Sequence, residues 1–289
     1  MLADVIAGRE TRLALRAACA LMLLALAPLL AAQAPEVGRK VDIVAPVSAV
    51  LCEDMKLHHV LGSNPPVGCD RLRLVRFAYV GFDQQAHADG EIVVMDAAAP
   101  HVLRIFATLR ELQFPIAKAR LMNHYDGDDD ASMRDNNTSA FNDRNIANGN
   151  LVSLHAYGLA IDINPVQNPY LVRSNGALTI APAAGADYAN RLDDRPWKSA
   201  RPGMAENVID VFVDNGFLIW GGYWDNPIDY QHFQVGRKMA ERLASSSPTE
   251  AAAILNDVVK HYRDCRRPLS GKPGLGRTQC IMQADPTGG

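Results

Sequence analysis

The chain has 289 residues, with 29 Lys and Arg against 32 Asp and Glu, a net charge of −3. That length accommodates one large domain or two small ones, and 48% hydrophobic residues supply an ample core and exclude bulk disorder. The near balance of charge leaves no basic field of the kind that makes nucleic acid the main partner.

In chain order, Arg9, Arg12 and Arg16 precede an uncharged, Leu- and Ala-rich run, Ala17 to Ala34. A basic start, a short apolar stretch and small residues after it describe a secretory signal, residues 1–34, cut between Ala31 and Pro35. The alternative is an uncleaved membrane anchor, but the run is short and carries Pro28. Export places the mature protein in the periplasm or outside the cell, with membrane contact only through the N-terminal segment if it is retained. Past Cys19, four cysteines remain as two sequence-local pairs, Cys52 with Cys69 and Cys265 with Cys280. An even count in an exported chain points to disulfides, local pairing being the simplest of three connectivities. No C-x-x-C exists, so a structural zinc knuckle has no support.

Residues 35–72, rich in Pro, Gly and Cys, read as an irregular leading segment. Leu72–Phe82 and Glu91–Met95 read as strands. Asp96 is placed to cap a helix with Pro100 in its first turn and Val102, Ile105, Phe106, Leu109 and Leu112 at helical spacing. Ala119–Tyr125 returns to strand-like character. The polar stretch Asp126–Asn150 follows. Its DGDDD fails the EF-hand pattern, because the sixth and twelfth positions hold Ala131 and Asn137. A solvated acidic turn is expected instead. Met204, Val208, Val211 and Phe212 mark a helix that Gly216 ends. Ser247-Pro248-Thr249-Glu250 is a capping box that starts a helix reaching about Tyr262. Strands and helices do not alternate regularly, which favours α+β with an antiparallel sheet and flanking helices.

The stretch LVSLHAYGLAIDINP, Leu151–Pro165, carries the chemistry. Gly158–Asn164 alternates like a strand, yet Asp162 lies within it. An ionised carboxylate inside a sheet is costly, and a metal is one of few compensations. His155, Asp162 and His232 offer the imidazole and carboxylate donors that zinc accepts, and three protein ligands leave a fourth position open for catalysis. On one straight strand His155 and Asp162 would lie about 23 Å apart. The chain must therefore turn between them, and Gly158 is the place. In YQHFQV, Tyr230, His232 and Gln234 share one face of a second strand. His58, His59, His87, His101, His124 and His261 have no comparable context.

SLHAYGLAIDINP followed by DYQHFQ resembles the zinc D-alanyl-D-alanine carboxypeptidases and L-alanyl-D-glutamate endopeptidases of the hedgehog/DD-peptidase fold. Their pattern, S-x-H-x(6)-D and later an acidic residue three before a histidine, is met by Ser153, His155, Gly158, Ala160, Asp162, Asp229, His232 and Phe233. QFPIAKA and NNTSAFNDR resemble the exported branch, so the likeness runs from Val75 to Gly236. It implies a zinc peptidase domain over 73–240 followed by a helical extension over 241–289. The zinc ligands would be His155, Asp162 and His232, with peptidoglycan stem peptides as substrates. It also implies Asp229 as general base, taking a proton from water and returning one to the leaving amine. An arginine would polarise the scissile carbonyl or hold a substrate carboxylate: Arg144 first, with Arg134 and Arg120 as substitutes. A zinc-stabilised wall-binding module of the same fold is the non-catalytic alternative.

Overall fold

The strand-like runs Leu72–Phe82 and Glu91–Met95 make the first layer. Strands β1 (Ile43–Pro46), β2 (Leu72–Val80) and β3 (Ala86–Met95) form an antiparallel sheet in that order. A short helix α1 (Ala49–Leu57) lies between β1 and β2, and α2 (Ala99–Glu111) follows β3. In this computed structural model the described residues are 41–146, 149–269, 274 and 276–287. The expected signal at residues 1–34 lies outside them. Part of the segment expected to be irregular is thus regular. Ser48 caps α1 by accepting from Leu51 N, and Cys52 and Cys69 are bridged, fixing α1 to the start of β2.

Asp96 does not cap α2, whose N-cap is Ala98. Its carboxylate is held by Arg71, at 2.8 and 3.2 Å. The same guanidinium donates to the carbonyls of Leu243, Ala244 and Ser246. Ala119–Tyr125 is not a strand either. Met122–Tyr125 is a 3-10 turn ended by Asp126 at φ +51, and Asn123 is drawn to Asp54 at 2.7 Å. Short polar residues of this kind favour local turns over ladders. The polar stretch holds a six-residue helix α3 (Asp129–Arg134).

The second half adds β4 (Ala160–Asp162), the hairpin β5 (Tyr170–Ser174) and β6 (Ala177–Ala181), and helix α4 (Ile209–Val213). Then come β7 (Ile219–Trp220), β8 (Ile228–Asp229) and β9 (His232–Gln234). Two more antiparallel sheets result, β4-β9-β7 and β6-β5-β8. The class is α+β, as the irregular alternation of elements implies. Gly216, at φ +93, stops the turn after α4. Phe233 stacks on Phe212 at 3.8 Å, and Phe77 on Phe106 at 3.7 Å. All four rings are fully buried. Each contributes about 1.5–3 kcal/mol by leaving water.

Helices α5 (Arg237–Ser245), α6 (Pro248–Arg266) and α7 (Arg277–Ala284) close the chain. Ser247 accepts from Glu250 N at 3.4 Å with Pro248 beside it, as the capping box predicts, and α6 runs four residues past Tyr262. Leu255 and Tyr262 belong to the same buried core as β2 and β4, so these helices brace the domain. Cys265 and Cys280 join α6 to α7. Among the described residues no helix is long and apolar enough to cross a membrane.

Candidate metal centre

The centre begins with strand register. β4 and β9 pair so that Asp162 stands directly opposite His232. Opposed residues on neighbouring strands project to the same face. The other edge of β4 is closed by Ser139, which exchanges both backbone hydrogen bonds with Asp162 at 2.9 and 3.0 Å. His155 arrives from a tighter device. Ser153 caps the 3-10 turn Leu154–Tyr157 by accepting from His155 N at 3.3 Å. Gly158 then reverses the chain at φ +65, where an added Cβ would lie 2.5 Å from Met95 N. The expected turn between His155 and Asp162 is thus present, and only glycine fits it.

The three side chains converge. His155 Nε2 lies 3.2 Å from Asp162 Oδ2 and 3.2 Å from His232 Nδ1, while His232 Nδ1 lies 2.9 Å from Asp162 Oδ1. All three are buried, and their ligand atoms lie within 4.8 Å of one another, so the group could hold a metal ion. Their outer contacts set the ring states. His155 Nδ1 donates to the Ala140 carbonyl at 2.5 Å, and His232 Nε2 donates to Gln234 Oε1 at 2.7 Å. Each ring's outer nitrogen thereby keeps its proton, so the inner nitrogen is the one left for a metal to take. Two imidazole nitrogens and one carboxylate oxygen are a donor set that fits zinc.

Charge is unevenly shared. Burial opposes ionisation of Asp162, but the two imidazoles outweigh it and hold the carboxyl far below its usual range. Burial likewise opposes a charged His232, yet Asp162 raises it to about 9. Metal binding must displace that proton, so affinity rises with pH. Asp229 is pushed up to about 7, by burial first and then by the charge of Asp162.

Asp229 reaches the cleft from a different sheet from the one that holds His232. It pairs with Tyr170 in the β6-β5-β8 sheet, and the turn Tyr230–Gln231 lies after it, between β8 and β9. That turn breaks the strand phase that would have faced Asp229 away from His232. Its Oδ1 is buried with no hydrogen-bond partner among the described residues. Gly221 packs on its backbone, where a Cβ would lie 2.5 Å from Asp229 O.

These groups line one cleft of about 420 Å³, enough for a few peptide residues. Arg144 lines it too and is ion-paired with Asp129. Arg134 is mostly exposed, 3.9 Å from Asp128, and Arg120 borders a separate small cavity beside Met55 and Ile92. Of the three arginines, only Arg144 is among the residues lining this cleft. Sequence reasoning missed Gln234 and Ala140 as supports, and Tyr170, Trp224, Gln231 and Arg237 as walls. Gln234 alone left a signal, two residues after His232 on the same face; a backbone carbonyl leaves none.

Residues 147–235 match the family model for D-alanyl-D-alanine carboxypeptidase, within the stretch where the resemblance lies. No curated protein and no solved structure matches this chain.

Proposed function

We propose, from the premise that residues 147–235, which hold His155, Asp162, Asp229 and His232, match the D-alanyl-D-alanine carboxypeptidase family, that the protein is an exported zinc metallopeptidase. It hydrolyses peptide bonds of peptidoglycan stem peptides, as a carboxypeptidase or an L-alanyl-D-glutamate endopeptidase. The observation that carries the reading is a second buried carboxylate, Asp229, sharing the cleft with His155, Asp162 and His232. A purely structural metal site has no use for it. Two disulfides and the basic, then apolar N-terminal sequence support export.

His155, Asp162 and His232 would hold the ion. Zinc, when bound there, supplies Lewis acidity, bringing the pKa of water down to about 7 and polarising a carbonyl. Asp229, buried in the same cleft, takes the proton from the attacking water and passes it to the leaving amine. Arg144, oriented by Asp129, offers N–H groups to the oxygen on which negative charge develops. Tyr170 and Trp224 wall the cleft and thin out bulk water, so these charges act in a lower dielectric.

Asp229→Ala tests this. It is expected to keep zinc and fold while losing about 10²–10⁴-fold in rate. Asp229→Glu should retain part of the activity. Arg144→Ala should keep zinc and lose about 3 kcal/mol of transition-state stabilisation. The assay is release of new amino termini from muropeptides, with zinc measured on the same samples. An Asp229→Ala protein as active as wild type sinks the base assignment. A wild-type protein inert toward every muropeptide, yet binding wall material, favours the non-catalytic module.

A further inference from the structure

The acidic run DGDDD does not end up as a solvated turn alone: Asp128, Asp129 and Asp130 all line the cleft. Their carboxylates are not equivalent. Asp128 caps α3 by accepting from Ala131 N at 3.0 Å. Asp129 is engaged by Arg144 and by Asn142 Nδ2, the latter at 3.0 Å. Asp130 is exposed and has no ion partner among the described residues.

A second observation points the same way. Gln231 is only 3% exposed and lines the same cleft. Its Nε2 reaches Met133 Sδ of α3 at 3.3 Å, so its amide lies against the α3 wall. Its Oε1 has no hydrogen-bond partner among the described residues. A buried acceptor left unpaired is a standing cost that a donor entering the cleft removes. The cationic side chains of the cleft do not fill this role. Arg144 is taken by Asp129, and Arg237 donates to the Val152 carbonyl at 2.9 Å. A second metal does not fit either, because the only convergent group of metal-ligating side chains found among the described residues is His155, Asp162 and His232. A free carboxylate and an unpaired amide oxygen lining one cleft call for a compact cation with several N–H donors, which describes a primary ammonium.

We propose that the α3 wall is a subsite for a primary ammonium group of the substrate, with Asp130 supplying the charge and Gln231 Oε1 accepting an N–H. The inference rests on the peptidase reading and names its substrate class: peptides in which a residue close to the scissile bond carries a side-chain amine. Acylation, as in a cross-link, removes the charge and leaves a single amide N–H donor. The subsite therefore directs the enzyme to stems whose amine is still free.

The test uses zinc-loaded protein and two synthetic stem peptides that differ only in a free or N-acetylated side-chain amine. The free amine is expected to be favoured by about ten- to a hundredfold in kcat/KM, mostly through KM. Asp130→Asn and Gln231→Met should each shrink that ratio. A ratio is read because loss of fold or zinc lowers both rates alike. If neither peptide is cut, the peptidase reading fails. The same pair is then compared by calorimetric binding, where the free amine must again be favoured. Equal handling of the two peptides by wild type, binding of neither, or an undiminished ratio in both variants overturns the subsite.

Discussion

Removing the Gln234 amide tests how the metal ligands are set. In Gln234→Leu, His232 loses the acceptor that holds its Nε2–H at 2.7 Å. The ring is 7% exposed, so water replaces that partner poorly. When the ring gives up the proton that metal binding displaces, the one it keeps can then sit on Nδ1 and donate to Asp162 Oδ1, 2.9 Å away. That exchange turns a metal-facing lone pair into a donor aimed at a fellow ligand, and zinc must reverse it on binding. Losing a partner of this kind weakens metal affinity about 10–100-fold, equivalent to about 1.4–2.7 kcal/mol. Leucine suits the strand, and Gln234 is only half-buried, so the fold should hold. Gln234→Glu keeps an acceptor and adds charge, so its affinity should equal or exceed that of wild type. The assay is competition with a chelator of known zinc affinity at fixed pH, with circular dichroism as the check on folding. A Gln234→Leu protein that holds zinc within twofold of wild type would refute this account of how His232 is oriented.

His155→Ala, Asp162→Ala and His232→Ala should each abolish stoichiometric zinc, read by metal analysis after dialysis; full metal content in all three ends the zinc-site reading. His101 is buried, donating to Asn256 Oδ1 at 2.9 Å and accepting from Arg104 at 2.6 Å. Burial, then the Arg104 charge, pushes it down to about 4 from an ordinary 6.5. The fold thus favours the neutral ring, and its contribution is whole above pH 6.5 and lost as pH falls toward 4. Between pH 7.5 and 4.5, His101→Gln should lose about 2–3 kcal/mol less stability than wild type; equal losses in urea titrations would exclude His101 as a source of acid sensitivity. Replacing Cys265 and Cys280 by Ser opens a bridge spanning a separation of 15 residues, which should lower stability by up to about 3 kcal/mol. An unchanged urea midpoint would contradict that.

The site was more legible in sequence than the frame around it, for a physical reason. His155, Gly158 and Asp162 each leave a mark: a ligand type, a positive φ that needs glycine, a carboxylate where a strand should be apolar. Ser247 and Glu250 were equally readable, because a cap is a local event. Asp96 was misread because its partner, Arg71, also gathers three carbonyls from residues 243–246, a link that local sequence does not contain. Met122–Tyr125 has strand-like composition, but its contact with Asp54 and the left-handed Asp126 decide for a turn. The face presented by Asp229 is set by the turn Tyr230–Gln231 between it and His232, because one residue of phase in a strand inverts a side chain. The acidic run gave its composition away but not its address, which is fixed only when α3 meets Gln231.

The pairing of Asp162 with His232 has a further consequence, because the chain leaves that spot and comes back to it. Ile163 N is already bonded to Gln231 O at 3.0 Å, so residues 164–230 are an excursion pinched shut at its base. Its hairpin turns at Asn175–Gly176, where a side chain on Gly176 would meet nothing within 4 Å. Doubling the length of a flexible loop costs only about 0.6 kcal/mol in closure entropy. The tip of the hairpin, residues 174–177, can therefore be lengthened or exchanged without moving the ligands that sit below the pinch, provided Tyr170 and Leu171 stay to pair with Asp229 and Ile228. Tyr170 and Ala181, which open and close this hairpin, also wall the cleft. Changing the side chains at these two positions and the length of the tip between them is thus a direct way to redesign what the cleft admits while the backbone pairing that holds Asp229 stays as inherited.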